Sequence, residues 1–431
     1  MSWVLRHRVV GFLRSSVWLV PLGSMCLALL LLPLLRHLDH RFSPTGLGFG
    51  PDGAHNVLTM IAASMLSLLV FAFSALLITV QLASAQLTPR MIAGMLIRGR
   101  PVKFTIGLVV LTYTLSVGVL GRTETSVLQV STAACVALSL ASIAVFLYLM
   151  DLWIKALRPV SVMASVGAEA LRVIEHVYPC LLRDTPVRTQ GRIPPSNAAT
   201  ARRLLHPGPS GVLIAADFDG LARKAHATGG LIEILPLVGD YVASGEPLLV
   251  THGGANLIDA RRLYRALLFG AERTLQQDPM FAFRILVDIA IKALSPAIND
   301  PTTAVLALDQ LHRLLRRIGE RCLDTPAVLD ASGQNGLIFR TPDWDDYVAL
   351  AISEIRSYGA GSLLVVQRLK GMLNSLAGAL PVSRRDALRT QLDLLDRAAL
   401  RHFQDPEDLA LMGVAAASPD LREARLRQTG D

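Results

Sequence analysis

Four apolar runs crowd into the first third of the chain, and no fold that leaves them in water is available to it. They are Val17 to Leu35, Val57 to Leu82, Phe104 to Gly121 and Val127 to Met150, and none contains Asp, Glu, Lys or Arg. About 20 apolar residues in helical conformation cross a ~30 Å hydrocarbon layer. Lipid offers no partners for backbone N–H and C=O groups, so such runs become helices. A cleaved signal peptide competes for the first run. Its 19 residues exceed a signal's apolar region and no A-x-A site follows, so it reads as a span. Over the whole chain only 18% of residues are charged, against about 25% in soluble domains.

Charge around the runs gives an orientation. Arg6, Arg8 and Arg14 precede the first run, Arg90, Arg98, Arg100 and Lys103 separate the second from the third, and Lys155 and Arg158 follow the fourth. The two remaining links hold only Arg36, Arg41 and Arg122. The excess of basic residues on one side predicts both termini in the cytoplasm. The net charge of +8 comes almost wholly from arginine and gathers beside the spans, so anionic lipid is the expected basic-patch partner. No basic recognition helix is visible, which excludes nucleic acid from the expected partners. Four cysteines, without a C-x-x-C pair, suggest neither a disulfide framework nor a zinc site.

The second run carries a stripe. Ser64, Ser67, Phe71, Ser74, Ile78, Gln81 and Ala85 recur at spacings of three and four, which sets three serines and a glutamine on one helical face. Small polar residues suit a packing seam between helices. The alternative is the lining of a pore, with Ser64, Ser67, Ser74 and Gln81 as lining candidates in a homo-oligomer. The absence of an ionisable side chain inside the runs argues against a pump or proton-coupled carrier.

Residues 1–151 are therefore read as a transmembrane domain, 152–209 as a helical connector and linker, and 210–255 as a small β-rich, barrel-like segment. Residues 256–415 read as a helical domain, and 416–431 as a tail that frays. The fold class is a four-helix membrane domain followed by a cytosolic α+β domain. Gly239-Asp240-Tyr241-Val242-Ala243-Ser244-Gly245 resembles half of a lipoyl- or biotinyl-domain motif, and reads as a turn-bearing strand pair. No lysine lies between Lys224 and Lys292 to accept a cofactor, and no cofactor is expected.

Two Asp-Pro steps mark helix starts: Asp278-Pro279 and Asp300-Pro301. Aspartate at the N-cap followed by proline at the first helical position is a sound local start. Polar residues gather around both. Glu272, Arg273, Thr274, Gln277, Asp278, Ser295, Asn299, Asp300, Thr302 and Thr303 could be brought together by short turns, as a pocket for a small molecule or ion. The structural alternative is capping and helix packing alone. No Walker A, G-x-S-x-G, H-E-x-x-H or EF-hand pattern is present, so no catalytic or metal-binding residue is assigned.

Several stretches together carry a resemblance. They are Gln81-Leu82-Ala83-Ser84-Ala85-Gln86-Leu87-Thr88-Pro89-Arg90, Glu233 to Leu248, Arg273-Thr274 with Gln277-Asp278, Ala293 to Ala304, and Ile355-Arg356-Ser357-Tyr358-Gly359-Ala360. From Arg14 to Arg401 the chain resembles a bacterial family of predicted membrane proteins known as domain of unknown function twenty-two fifty-four. Where its members often have Ser-Ser-Gln, this chain has Ser84-Ala85-Gln86. The resemblance implies four N-terminal spans in a bacterial inner membrane. It brings no activity, so no residue role is carried over. Three functions follow as expectations: a channel-like or transport-related protein with a cytosolic ligand-sensing domain, a scaffold that recruits partners, or a membrane-anchored enzyme using the 272–303 cluster.

Overall fold

A computed structural model describes residues 18–41, 50–86, 100–121, 129–156, 158–182, 201–323, 327–329 and 336–413. The arginine-bearing N-terminus, the link after the second span, the 122–126 link, most of the expected linker and the 416–431 tail lie outside them. The chain divides near Ser161 into two compact units.

The first unit is four helices: α1 (Leu19–Arg41), α2 (Pro51–Gln86), α3 (Arg100–Leu120) and α4 (Gln129–Ala156). All four are long and apolar enough to cross a membrane. Their interior packs Ala28, Leu32, Leu58, Met65, Val109 and Leu115, while much of the apolar surface faces outward, as lipid requires. Close approach of α1 and α3 depends on Gly118, where a Cβ would sit 2.6 Å from a methyl of Leu32. Several polar side chains inside the bundle bond to one another or back to the helix, as Thr105, Thr112 and Ser142 do. Thr112 and Ser142 oxygens lie 3.0 Å apart between α3 and α4, and Thr112 also donates to the Leu108 carbonyl. Asp39, at the end of α1, accepts from the backbone N–H groups of Val130 (2.7 Å) and Ser131 and from the Ser131 hydroxyl. It thus places a negative charge on the N-terminus of α4, where the helix dipole favours it.

The second unit begins with α5 (Pro159–Val177), whose buried Val162, Met163, Val166, Ala170, Val173 and Ile174 form one face. Two small sheets follow. The strands are β1 (Arg202–Leu205), β2 (Gly211–Ala216), β3 (Gly230–Ile234), β4 (Tyr241–Val242), β5 (Pro247–Gly253), β6 (Leu267–Gly270), β7 (Ala327–Leu329) and β8 (Gly336–Phe339). One sheet runs β1-β5-β3-β8-β7 and the other β4-β2-β6. Among the described residues the sheets are open, so the barrel-like segment expected for 210–255 is corrected. Its strands divide between two sheets, and the five-stranded one draws β8 from about 100 residues downstream of β3 to pair with it in parallel. Two further readings change. β1 forms inside the expected linker, and the Gly239–Leu248 stretch is no hairpin, because β4 pairs with β2 and β5 with β1 and β3. Helix α6 (Phe218–Thr228), capped by Asp217, and α7 (Ala260–Tyr264) cover the sheets. Between the layers lie Leu213, Leu221, Ile232, Ile234, Leu248, Leu263 and Leu337, each worth roughly 1.5–3 kcal/mol of burial.

The rest is helical: α8 (Pro279–Ala293), α9 (Pro301–Gly319), α10 (Trp344–Gly359), α11 (Leu363–Ala379), α12 (Arg385–His402) and α13 (Pro406–Leu411). Their core contains Phe283, Leu286, Leu311, Leu315, Tyr347, Ile352, Val366 and Leu373, all fully buried. Trp344 anchors the start of α10 by donating its indole N–H to the Arg384 carbonyl at 2.9 Å.

Candidate functional site

The ten polar residues expected to converge form two groups at opposite ends of α8. Fifteen residues of helix separate Asp278 from the turn that ends at Asp300, a rise of roughly 22 Å at 1.5 Å per residue. The single 272–303 pocket is therefore corrected to two structures. At the far end, Asp300 caps α9, accepting from the Thr303 N–H at 3.0 Å and its hydroxyl at 2.6 Å. Those bonds favour the charged form and lower its pKa. Ser295 donates to the Lys292 carbonyl at 2.7 Å. Asn299 takes a left-handed φ of 46°, and it and Thr302 are exposed. This is a satisfied helix–turn–helix junction.

The near end is different. Asp278 caps α8 through the Phe281 N–H at 3.0 Å and is only 3% exposed. Arg273 closes on it with Nε and Nη2 both 2.7 Å from Oδ2, and the guanidinium also stands over the Phe281 ring. Burial raises the Asp278 pKa above the usual carboxylate range, with Arg273 acting against the rise. Gln277 clasps the end of β2, accepting from the Ala216 N–H (2.9 Å) and donating to the Ala216 carbonyl (3.2 Å). Glu272 points to solvent, and the buried Thr274 hydroxyl finds no partner among the described residues.

The Gly239-Asp240 turn belongs to this site. Gly239 has φ +102°, and a Cβ there would stand 2.4 Å from Asp278 Oδ2 and 2.8 Å from Arg273 Nη2. Glycine is thus required twice, for its backbone and for the approach of the turn to the ion pair. Asp240 braces the turn by accepting from the Leu237 N–H at 2.9 Å.

Beside Asp278 opens a cavity of ≈ 540 Å³. Its walls are the end of α5 with Tyr178 and Cys180, the β2–α6 junction with Asp217 and Asp219, the Leu237-Val238 loop, the start of α8, Cys322 after α9, and Phe339 to Pro342 after β8. Tyr178 and Tyr347 share a hydroxyl contact of 3.2 Å, and burial lifts the Tyr178 phenol to about 12. Phe218 and Phe339 rings lie 4.5 Å apart. Of the ten expected residues only Gln277 and Asp278 line this space. Tyr178, Asp217, Asp219, Arg340 and Thr341 were missed, and apart from Asp217 nothing local marks them. Arg340 and Thr341 are placed by the parallel pairing of β3 with β8. Asp217 alone had a signal, as an N-cap before a short helix.

The arrangement is suited to holding a small molecule. Carboxylates, a phenol, a guanidinium and aromatic edges face one volume, in the mixed lining typical of ligand pockets. Among the described residues no group of three or more His, Cys, Asp or Glu could hold a metal ion.

The serine stripe falls on the outside of the first unit. Ser64, Ser67, Ser74 and Gln81 are all exposed, while α2 turns Ala54, Leu58, Ile61 and Met65 inward. It is not a seam within the four-helix bundle.

A chain with four apolar helices long enough to span a bilayer, followed by a mixed α+β unit, is by class an integral membrane protein with a large extramembrane domain. It belongs to the family described as "Predicted membrane protein (DUF2254)", whose model matches residues 14–375. Uncharacterized proteins of Mycobacterium bovis and of Mycobacterium tuberculosis are 30% identical to it over 439 residues, covering 97% of this chain and 83% of theirs. No solved structure matches it significantly.

Proposed function

We propose that this is an inner-membrane receptor whose C-terminal unit, held on the cytoplasmic side, binds a small polar molecule in the cavity beside Asp278. The observation that carries this reading is the cavity itself: ≈ 540 Å³, within the usual range for small-molecule sites, and flanked by an ion pair whose carboxylate is buried. Asp217 and Asp219 favour a ligand with a cationic or hydrogen-bond-donating group, and the Phe218–Phe339 edge favours one with an apolar body. A scaffold has no need of such a space. The enzyme reading required Glu272, Asp278, Asn299 and Asp300 in one pocket, and α8 holds them apart.

The test is a thermal-shift screen of the full chain in detergent against amines, amino acids and nucleosides. A compound that binds only the native state raises Tm with concentration. The reading expects at least one such compound, and loss of its shift in Asp219→Lys, whose parent side chain is exposed at the cavity rim. A screen in which every shift survives that reversal counts against the cavity.

A second reading rests on a separate observation, the outward-facing polar stripe of α2. In a homo-oligomer with these faces toward an axis, Ser64, Ser67, Ser74 and Gln81 line a pore that the receptor unit gates. Ion flux in liposomes is then expected for the wild type and abolished in Ser67→Leu and Gln81→Leu. A monomer in mild detergent, or flux unchanged by both substitutions, removes this reading and leaves the receptor intact.

A further inference from the structure

Cys180 and Cys322 lie far apart in sequence and opposite one another in space. The chain leaving α5 pairs antiparallel with the chain leaving α9 through the bridge of Leu181 with Arg321. Cys180 and Cys322 are the next pair along that ribbon. The Cys322 N–H donates to the Cys180 carbonyl at 3.0 Å, and the Leu182 N–H donates to the Glu320 carbonyl at 2.8 Å on the other side of the bridge. Directly opposed residues in an antiparallel pair send their side chains to the same face, and both cysteines line the same cavity. Their Cα separation at such a position, about 5.5 Å, falls inside the range a disulfide spans. The ribbon is also fixed in place. Arg321 Nη1 donates to the carbonyls of Tyr178 (3.1 Å) and Pro179 (3.0 Å), and Arg384 Nη2 donates to the Arg321 carbonyl (3.1 Å). Cys180 is exposed and Cys322 is buried, so one is open to an oxidant and the other stands behind it.

We propose that Cys180 and Cys322 form a reversible intramolecular disulfide, made by exchange with a low-molecular-weight disulfide, that ties the end of α5 to the end of α9 across one wall of the cavity. The Cys180 thiolate attacks one sulfur of the small disulfide, forming a mixed disulfide and releasing one small thiolate. The Cys322 thiolate then attacks the Cys180 sulfur, and the second small thiolate leaves. The two protein thiols lose two electrons and the small disulfide gains them. The two protons lost by the protein are taken up by the departing thiolates. Such exchange goes through the mixed species and depends on access to the attacked sulfur, which suits exposed Cys180 as the entry point. The proposal does not depend on what the cavity binds.

The test uses the full-length protein, reduced, transferred to detergent without reductant and treated with oxidised glutathione. Non-reducing peptide mapping is expected to find Cys180 and Cys322 joined within one chain, with the four thiols per chain falling to about two. In Cys322→Ala the expected product is a stable glutathione adduct on Cys180, which the wild type does not accumulate. That variant keeps the test open if Cys180 substitutions fold poorly. A persistent Cys180 adduct in the wild type, a link between two copies, a link to Cys26 or Cys135, or Cys180 and Cys322 both remaining as thiols would each overturn the proposal.

Discussion

At each end of α8 an aspartate followed by proline starts a helix, and the two turns share their local chemistry. Asp278 accepts from the N–H three residues on at 3.0 Å, and so does Asp300. The difference lies in what the rest of the molecule adds. Asp300 finishes its bonding with Thr303 and stays near solvent, and its pKa falls. Asp278 is covered by the Gly239-Asp240 turn and the end of β2, takes Arg273 as partner, and its pKa rises. A local motif therefore fixes where a helix begins. Whether its cap becomes part of a site is decided by segments that arrive from elsewhere.

The substitution expected to separate the two ends most is Arg273→Ala. It strands a buried carboxylate, at a cost of about 3 kcal/mol for a pair whose arginine is partly exposed. Adding Asp278→Asn should restore much of that loss, since the amide still caps the helix and needs no cation. Denaturant unfolding of the full chain in detergent measures both. If Arg273→Ala costs no more than Asp300→Ala, the two ends are equivalent and the comparison collapses.

Gly239→Ala comes next, at about 2 kcal/mol, because a Cβ meets Asp278 and Arg273 in a backbone region that disfavours side chains. Its loss should shrink in the Arg273→Ala background, because the two changes act on one contact. Additive effects would separate the turn from the ion pair.

Asp300→Ala should remove a cap, about 1 kcal/mol, with Asp300→Asn keeping the cap but losing, at neutral pH, what the charge adds to the Thr303 bonds.

The smallest effect is in pH dependence, and its sign differs between the ends. Asp278 holds its proton to higher pH when folded than when unfolded. Its contribution to stability therefore falls as pH rises from about 4 through its raised folded value. Asp300 loses its proton more readily when folded. Its contribution is present above about pH 4 and is lost as pH falls through its lowered value. The Tm of wild type minus Asp278→Asn should thus decline with rising pH, and that of wild type minus Asp300→Asn should climb. Equal slopes would contradict the assignment.

What could be read in the sequence divides along the same line. The spans were legible because run length and missing charge are properties of contiguous residues. Both caps were legible for the same reason. The serine stripe showed its period but not its direction, since Ala54, Leu58, Ile61 and Met65 compete for the inward face on packing that no single helix reveals. The cavity was illegible. Arg340 is brought there by a parallel strand pair 100 residues apart in sequence, Glu233 with Ile338 among its partners, and Tyr178 by the bridge of Leu181 with Arg321. Gly239 looked like part of a hairpin, whereas its left-handed backbone lets the turn close over Asp278.

The central claim is that the space beside Asp278 receives a ligand. The most direct measurement is a calorimetric titration of the best screening compound into the wild type and two tryptophan variants. Val238→Trp places a ring in the cavity wall, and Val382→Trp places one on a surface where valine is already 72% exposed. The account expects saturable binding to the wild type and to Val382→Trp, and none to Val238→Trp when that variant still unfolds cooperatively. Undiminished binding to Val238→Trp would contradict it and move the site elsewhere.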